Sequence, residues 1–104
     1  MVAFFLVLYT MAIVYVLYSE TLKRYYTGSC QDLTIRLAEH KEKKYQNSFT
    51  SHANDWELFL AVYGLYYLQA RKMESHIKKM KSRVYIENLK KYPEMLEKLK
   101  EKYS

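Results

Sequence analysis

Two glycines and a single proline in 104 residues leave this chain short of the residues that turn a backbone. Gly supplies positive φ in tight turns and Pro pre-sets their first corner, so their scarcity points to long helices. The expected fold class is all-α. Because Gly28 and Gly64 are the only glycines, neither a G-x-G-x-x-G nor a G-x-x-x-x-G-K phosphate loop is present. One cysteine, Cys30, excludes an internal disulfide framework, and with no base assigned to it the thiol reads as a passive small residue. His40, His52 and His76 lie in three segments, no two at the i, i+4 spacing of a helical metal pair. No carboxylate stands alone in an apolar run where its pKa would be raised for acid-base work. No catalytic residue, metal or cofactor is therefore expected, and the protein reads as a non-enzyme.

Charge is also missing where it would matter most. Residues 1–18, MVAFFLVLYTMAIVYVLY, carry no charged side chain. As a helix rising about 1.5 Å per residue this run matches the roughly 30 Å hydrocarbon core of a bilayer. It lacks the basic start and small-residue exit of a cleaved secretory signal, so a retained transmembrane anchor over 1–27 is expected. Lys23, Arg24, Tyr25 and Tyr26 follow it as membrane-interface or lipid-headgroup residues.

The remainder divides by composition. Gly28 stops the first helix, and Ser29 with Asp32 resembles a capping box for a short helix near residues 30–45. QNSFTSHA, residues 46–53, has no apolar period and completes a segment 28–53 as a polar linker. Asn54 and Glu57 then suit the start of a long helix running to Tyr92-Pro93, and Pro93 suits the first turn of a final helix. Phe59, Tyr63, Tyr66, Ala70, Met73, Ile77, Met80 and Val84 recur alternately four and three residues apart, a heptad seam read as a partner-docking stripe. The unit 54–104 is thus an amphipathic basic arm with no independent globular domain. The formal charge of +6 arises within it, since residues 71–104 hold eleven basic and five acidic side chains. The arm has no aromatic stacking motif interleaved with its charges, so nucleic acid is not an expected partner, and anionic lipid or a protein surface is.

A span from Met1, a short basic helical remainder and a Tyr/Lys-rich makeup together resemble the small single-span accessory subunits of mitochondrial respiratory-chain complexes. The resemblance implies a non-catalytic structural subunit in the mitochondrial inner membrane, its C-terminal part facing the matrix. Its implied partners are other subunits of the complex and the lipid bilayer, including an anionic lipid such as cardiolipin, with no small-molecule substrate. Alternative expectations are an ATP synthase accessory subunit, a membrane tether holding a ribosome or RNA particle through the basic tail, and a self-assembling coiled-coil scaffold.

Overall fold

Ala12–Ser19 (AIVYVLYS) is an extended strand, β1, and not the second half of a membrane helix. The structure, a computed structural model, describes residues 12–42 and 49–104; the rest of the expected span, residues 1–11, lies outside the described residues. No helix among the described residues is long and apolar enough to cross a membrane. β1 pairs antiparallel with β2 (Arg24–Cys30) on one side and with β3 (Trp56–Leu65) on the other, giving the order β2-β1-β3. Among the described residues four α-helices accompany the sheet: α1 (Leu33–Lys41), α2 (Tyr67–Met80), α3 (Arg83–Lys91) and α4 (Pro93–Lys102). The all-α expectation is corrected to an α/β fold.

The apolar run of β1 has a simple cause once its neighbours are known. Ala12, Val14 and Val16 point into a core with Val62, Leu65, Ala70, Met73, Ile77, Ile86, Leu89 and Leu99, from β3 and α2 to α4. Ile13, Tyr15 and Leu17 point the opposite way, to Cys30 and to Leu33 of α1. Successive strand residues face opposite sides of a sheet, so a central strand covered on both faces is apolar at every position and loses its period of two. Such a run is indistinguishable from half a membrane span by hydropathy alone. The β-branched Ile13, Val14 and Val16 fit it to a strand.

The expected helix over 54–91 is three elements. Residues 56–65 supply backbone partners along the second edge of β1, which would otherwise leave buried N–H and C=O groups unpaired. Gly64, at φ 71°, then occupies a left-handed conformation as the chain leaves β3 for α2. Lys81 ends α2 at φ 48°, and Ser82 caps α3, its Oγ accepting from the Tyr85 amide at 3.1 Å. α1 starts one residue after Asp32, whose Oδ1 accepts from the Ile35 amide at 3.0 Å. Asp55, which the helical reading placed in a first turn, clamps the β1–β2 turn instead. It accepts from the Ser19 hydroxyl at 2.6 Å and from the Thr21 amide and hydroxyl at 2.9 Å each. These bonds hold its carboxyl down, at about 2.

Gly28 is required by a close approach. It is the register partner of Tyr15, whose phenol lies across it; a Cβ built on Gly28 would stand 2.5 Å from the phenolic oxygen and 2.6 Å from Cζ. Gly28→Ala must therefore displace a fully buried ring. We expect it to destabilise the fold by about 1–3 kcal/mol, as overpacking does, measured by the denaturation midpoint. An unchanged midpoint would mean that the phenol has room to move.

Candidate active site

The side chain of Tyr15, at the centre of β1, projects toward α1 and is fully buried. Tyr26 of β2, opposite Leu17, shares that face, with ring centroids 6.4 Å apart. From α1, Arg36 and His40 stand four residues apart and so on one side of the helix. The Tyr15 hydroxyl is 2.8 Å from His40 Nε2, and His40 Nδ1 is 3.0 Å from Thr50 Oγ1. In the tautomer protonated at Nδ1, the imidazole donates to Thr50 and accepts from the phenol. The Tyr26 ring completes this face, edge-on to His40 at 5.3 Å and to Trp56 at 6.5 Å.

Arg36 carries the cluster around the sheet edge. Its guanidinium donates from Nη1 to the Ser29 carbonyl at 3.5 Å and pairs through Nε with Glu39 at 3.3 Å. On the far side of β2 the Ser29 hydroxyl donates to Glu74 Oε1 of α2 at 2.5 Å. Glu74 Oε2 accepts from Lys78 Nζ at 2.7 Å, and that ammonium lies 5.5 Å from the centre of the Tyr26 ring. A continuous set of contacts thus runs His40, Tyr15, Tyr26, Lys78, Glu74, Ser29, Arg36 around the outer edge of β2.

The electrostatics separate the roles. Burial raises the Tyr15 phenol well above its ordinary value, the neighbouring Arg36 guanidinium opposing this only in part. Burial and the same guanidinium lower His40, which favours the neutral imidazole at pH 7, the form able to take a proton from the phenol. Glu74 remains largely buried, its side chain 15% exposed, beside the half-exposed Lys78. Cys30 is buried, and burial raises its thiol, consistent with a passive role.

The residues assigned from sequence fall elsewhere. Ala70, Met73 and Ile77 are core residues beneath the sheet, and Phe59 packs against them from β3. Tyr63, Tyr66, Met80 and Val84 are exposed, on β3, at the α2 cap, in α2 and in α3. Lys23 closes the β1–β2 turn, and Arg24, Tyr25 and Tyr26 open β2. Tyr15, Arg36, His40 and Glu74 were missed. No histidine stands four residues from another, and the informative spacing is that of Arg36 to His40.

A phenol-imidazole pair, a guanidinium and an edge carboxylate gathered on an α/β sheet are the groups that acid-base chemistry on an anionic substrate requires. The chain belongs to the GIY-YIG family: the GIY-YIG catalytic domain matches residues 11–92. Neither the curated proteins nor the solved structures contain a match to it. The family description spells the tripeptides Gly-Ile-Tyr and Tyr-Ile-Gly. Tyr26-Thr27-Gly28 differs from the second at one position, and Ile13-Val14-Tyr15 shares the tyrosine of the first, on the adjacent strand.

GIY-YIG domains are nucleases, which overturns the functional expectations drawn from composition. The respiratory-chain resemblance fails, and with it the structural subunit, the ATP synthase alternative and the RNA tether. The protein is an enzyme. The partner is nucleic acid in place of a membrane complex and its cardiolipin. The mitochondrial inner-membrane location, with a matrix-facing arm, rested on a span whose second half is the central strand of a sheet.

Proposed function

We propose that the protein is an endonuclease that hydrolyses the phosphodiester backbone of DNA, with Tyr15 and His40 as its proton relay. The observation that carries this reading is the 2.8 Å contact between the Tyr15 hydroxyl and a neutral His40, oriented from behind by Thr50. A phenol with a raised pKa is a poor base alone. Coupled to an imidazole it passes a proton on: water attacks phosphorus, its proton goes to the Tyr15 oxygen and the phenolic proton to Nε2, while the P–O bond to the departing sugar oxygen breaks and that oxygen takes a proton from solvent. Arg36 stands beside the phenol, where its fork of donors matches the oxygens of a phosphate gaining negative charge. Tyr15 is covered in the free protein, and Arg36, its side chain 33% exposed, meets solvent.

Among the described residues no three His, Cys, Asp or Glu cluster as a metal cage. Glu74 fits a magnesium-type ion, which binds through one or two carboxylates and otherwise through water and substrate phosphate. Such an ion would supply Lewis-acid stabilisation of the leaving oxygen. Lys78 must release Oε2 to admit it.

The test is incubation of the purified protein with plasmid and linear duplex DNA and magnesium or manganese. We expect nicked and linear products with 5′ or 3′ phosphates, formed with the divalent ion and abolished by EDTA. Intact DNA under every cation would overturn the reading.

A further inference from the structure

A cleft of about 1010 Å³ opens between the β1–β2 turn and the corner joining α2 to α3, with Tyr26 in its wall. Five cations line it, Lys23, Arg24, Lys78, Lys81 and Arg83, and no carboxylate does. Two of these are in a conformation that lysine does not favour: Lys23 at φ 55° and Lys81 at φ 48° are the non-glycine residues at positive φ among the described residues. Each sits in the left-handed region at a cost, and such costs collect at functional sites. The two strained corners face one another across the cleft and are tied together, because the Arg83 guanidinium donates to the Lys23 carbonyl. Arg83 also lies 6.0 Å from the centre of the Tyr25 ring, whose hydroxyl donates to Glu87.

The charges are available to a ligand. Among the ion pairs of the described residues Lys23 has the exposed Glu20, a contact that water weakens. Lys81 and Arg83 have no acidic neighbour among the ion pairs of the described residues. Lys78 joins the cleft to Glu74, and a second basic surface, lined by Glu74 itself with Arg71 and Lys79, adjoins the cleft through the shared Lys78 and Lys81. A track of positive charge thus leads up to Glu74. The aromatic groups in the cleft are occupied, Tyr25 against Tyr18 and Phe59 and Tyr26 in the catalytic cluster, so none is free to stack on a base.

We propose that this cleft holds the phosphate backbone of the DNA strand that flanks the cut bond, and reads no sequence. The proposal rests on the nuclease reading for its ligand and on the cleft's own charge and geometry for its place. Backbone contacts of this kind release condensed counterions, so each contributes close to one unit to the salt dependence of binding.

The experiment measures fluorescence anisotropy of a labelled DNA duplex across a salt series, in a Glu74→Gln background that leaves the DNA uncut. Lys23→Asn with Lys81→Asn removes both charges while keeping residues that tolerate positive φ. We expect a loss of affinity of roughly 10-fold at moderate salt and a salt slope shallower by about 2, with the melting temperature retained. Lys81→Gly, which also accepts positive φ, should show half the change in slope. Lys98→Gln with Lys102→Gln, the same charge loss placed on α4, should change neither affinity nor slope as far.

Equal effects of the cleft and α4 pairs would overturn the proposal, as would wild-type binding by the cleft pair. DNA cleavage by the wild-type enzyme would in either case leave the nuclease reading intact. Duplex binding that depends on Lys23 and Lys81 without any cleavage would support the cleft and sink the nuclease. Binding to phosphatidylserine vesicles with none to duplex would overturn the cleft as a nucleic-acid track.

Discussion

Glu74→Gln is expected to reduce DNA cleavage by roughly 10³-fold or more while leaving DNA binding equal or tighter. The two effects separate because the carboxylate is the single acidic group where the basic surfaces meet. Removing its charge takes away the only carboxylate that α2 offers to a divalent ion, yet lowers the repulsion felt by an approaching phosphate. The fold should tolerate the change. A glutamine carbonyl at Oε1 still accepts from the Ser29 hydroxyl, and the half-exposed Lys78 pair is of the kind that contributes little. Single-turnover cleavage, anisotropy and thermal melting report the three quantities independently. Parallel loss of binding and melting temperature would mark Glu74 as a structural residue and remove it from the site.

Tyr15→Phe should lower the cleavage rate by roughly 10²- to 10⁴-fold, the range of a lost general acid-base group. It also carries a stability cost of about 1–3 kcal/mol, because the buried His40 Nε2 loses the hydrogen bond of the phenol. The decisive measurement is the cycle with His40→Ala. If the phenol and imidazole form one relay, the double variant should be little worse than either single one; independent roles would give multiplying losses.

The pH profile supplies a second check. Burial first and Arg36 second hold His40 below 6.5, so the rate of the wild-type enzyme should fall on an acid limb below that pH, as imidazolium can no longer accept. Tyr15→Phe should lose this limb along with its rate. Stability follows the same sign, since an unfolded histidine protonates before the buried one does. The contribution is intact above pH 6.5 and is lost as pH falls below it. A limb that persists unchanged in Tyr15→Phe would place the titrating group elsewhere.

The residues of this site were visible in the sequence, though not as a site. Arg36 and His40 carry the i, i+4 spacing of neighbours on one helical face, and a helix does occupy 33–41. Tyr26-Thr27-Gly28 reads without its partner strand as two aromatics and a helix stop. Glu74 looks like one more solvated carboxylate in a basic helix. Its distinction is the Ser29 hydroxyl of a strand 45 residues earlier. The stripe from Phe59 to Val84 shows the converse error. Ala70, Met73 and Ile77 keep helical spacing because they pack on the sheet, and the period was extended through a strand on one side and a capped break on the other.

The cap read at Ser29 lies in β2 and Asp32 caps α1 instead, so what the sequence determined by itself is more local still: Pro93 opening α4, and the gathering of positive charge in residues 71–104. These depend on one residue and its immediate neighbours, through a fixed φ or a simple sum of charges. Tertiary structure decided that residues 12–18 are a strand. An unbroken apolar run satisfies either a bilayer or a sheet covered on both faces, and only the pairing of β1 with β2 and β3 chooses between them. The catalytic cluster was decided in the same way. Tyr15, His40 and Glu74 acquire their chemistry from burial and from partners far along the chain, quantities that no local pattern encodes.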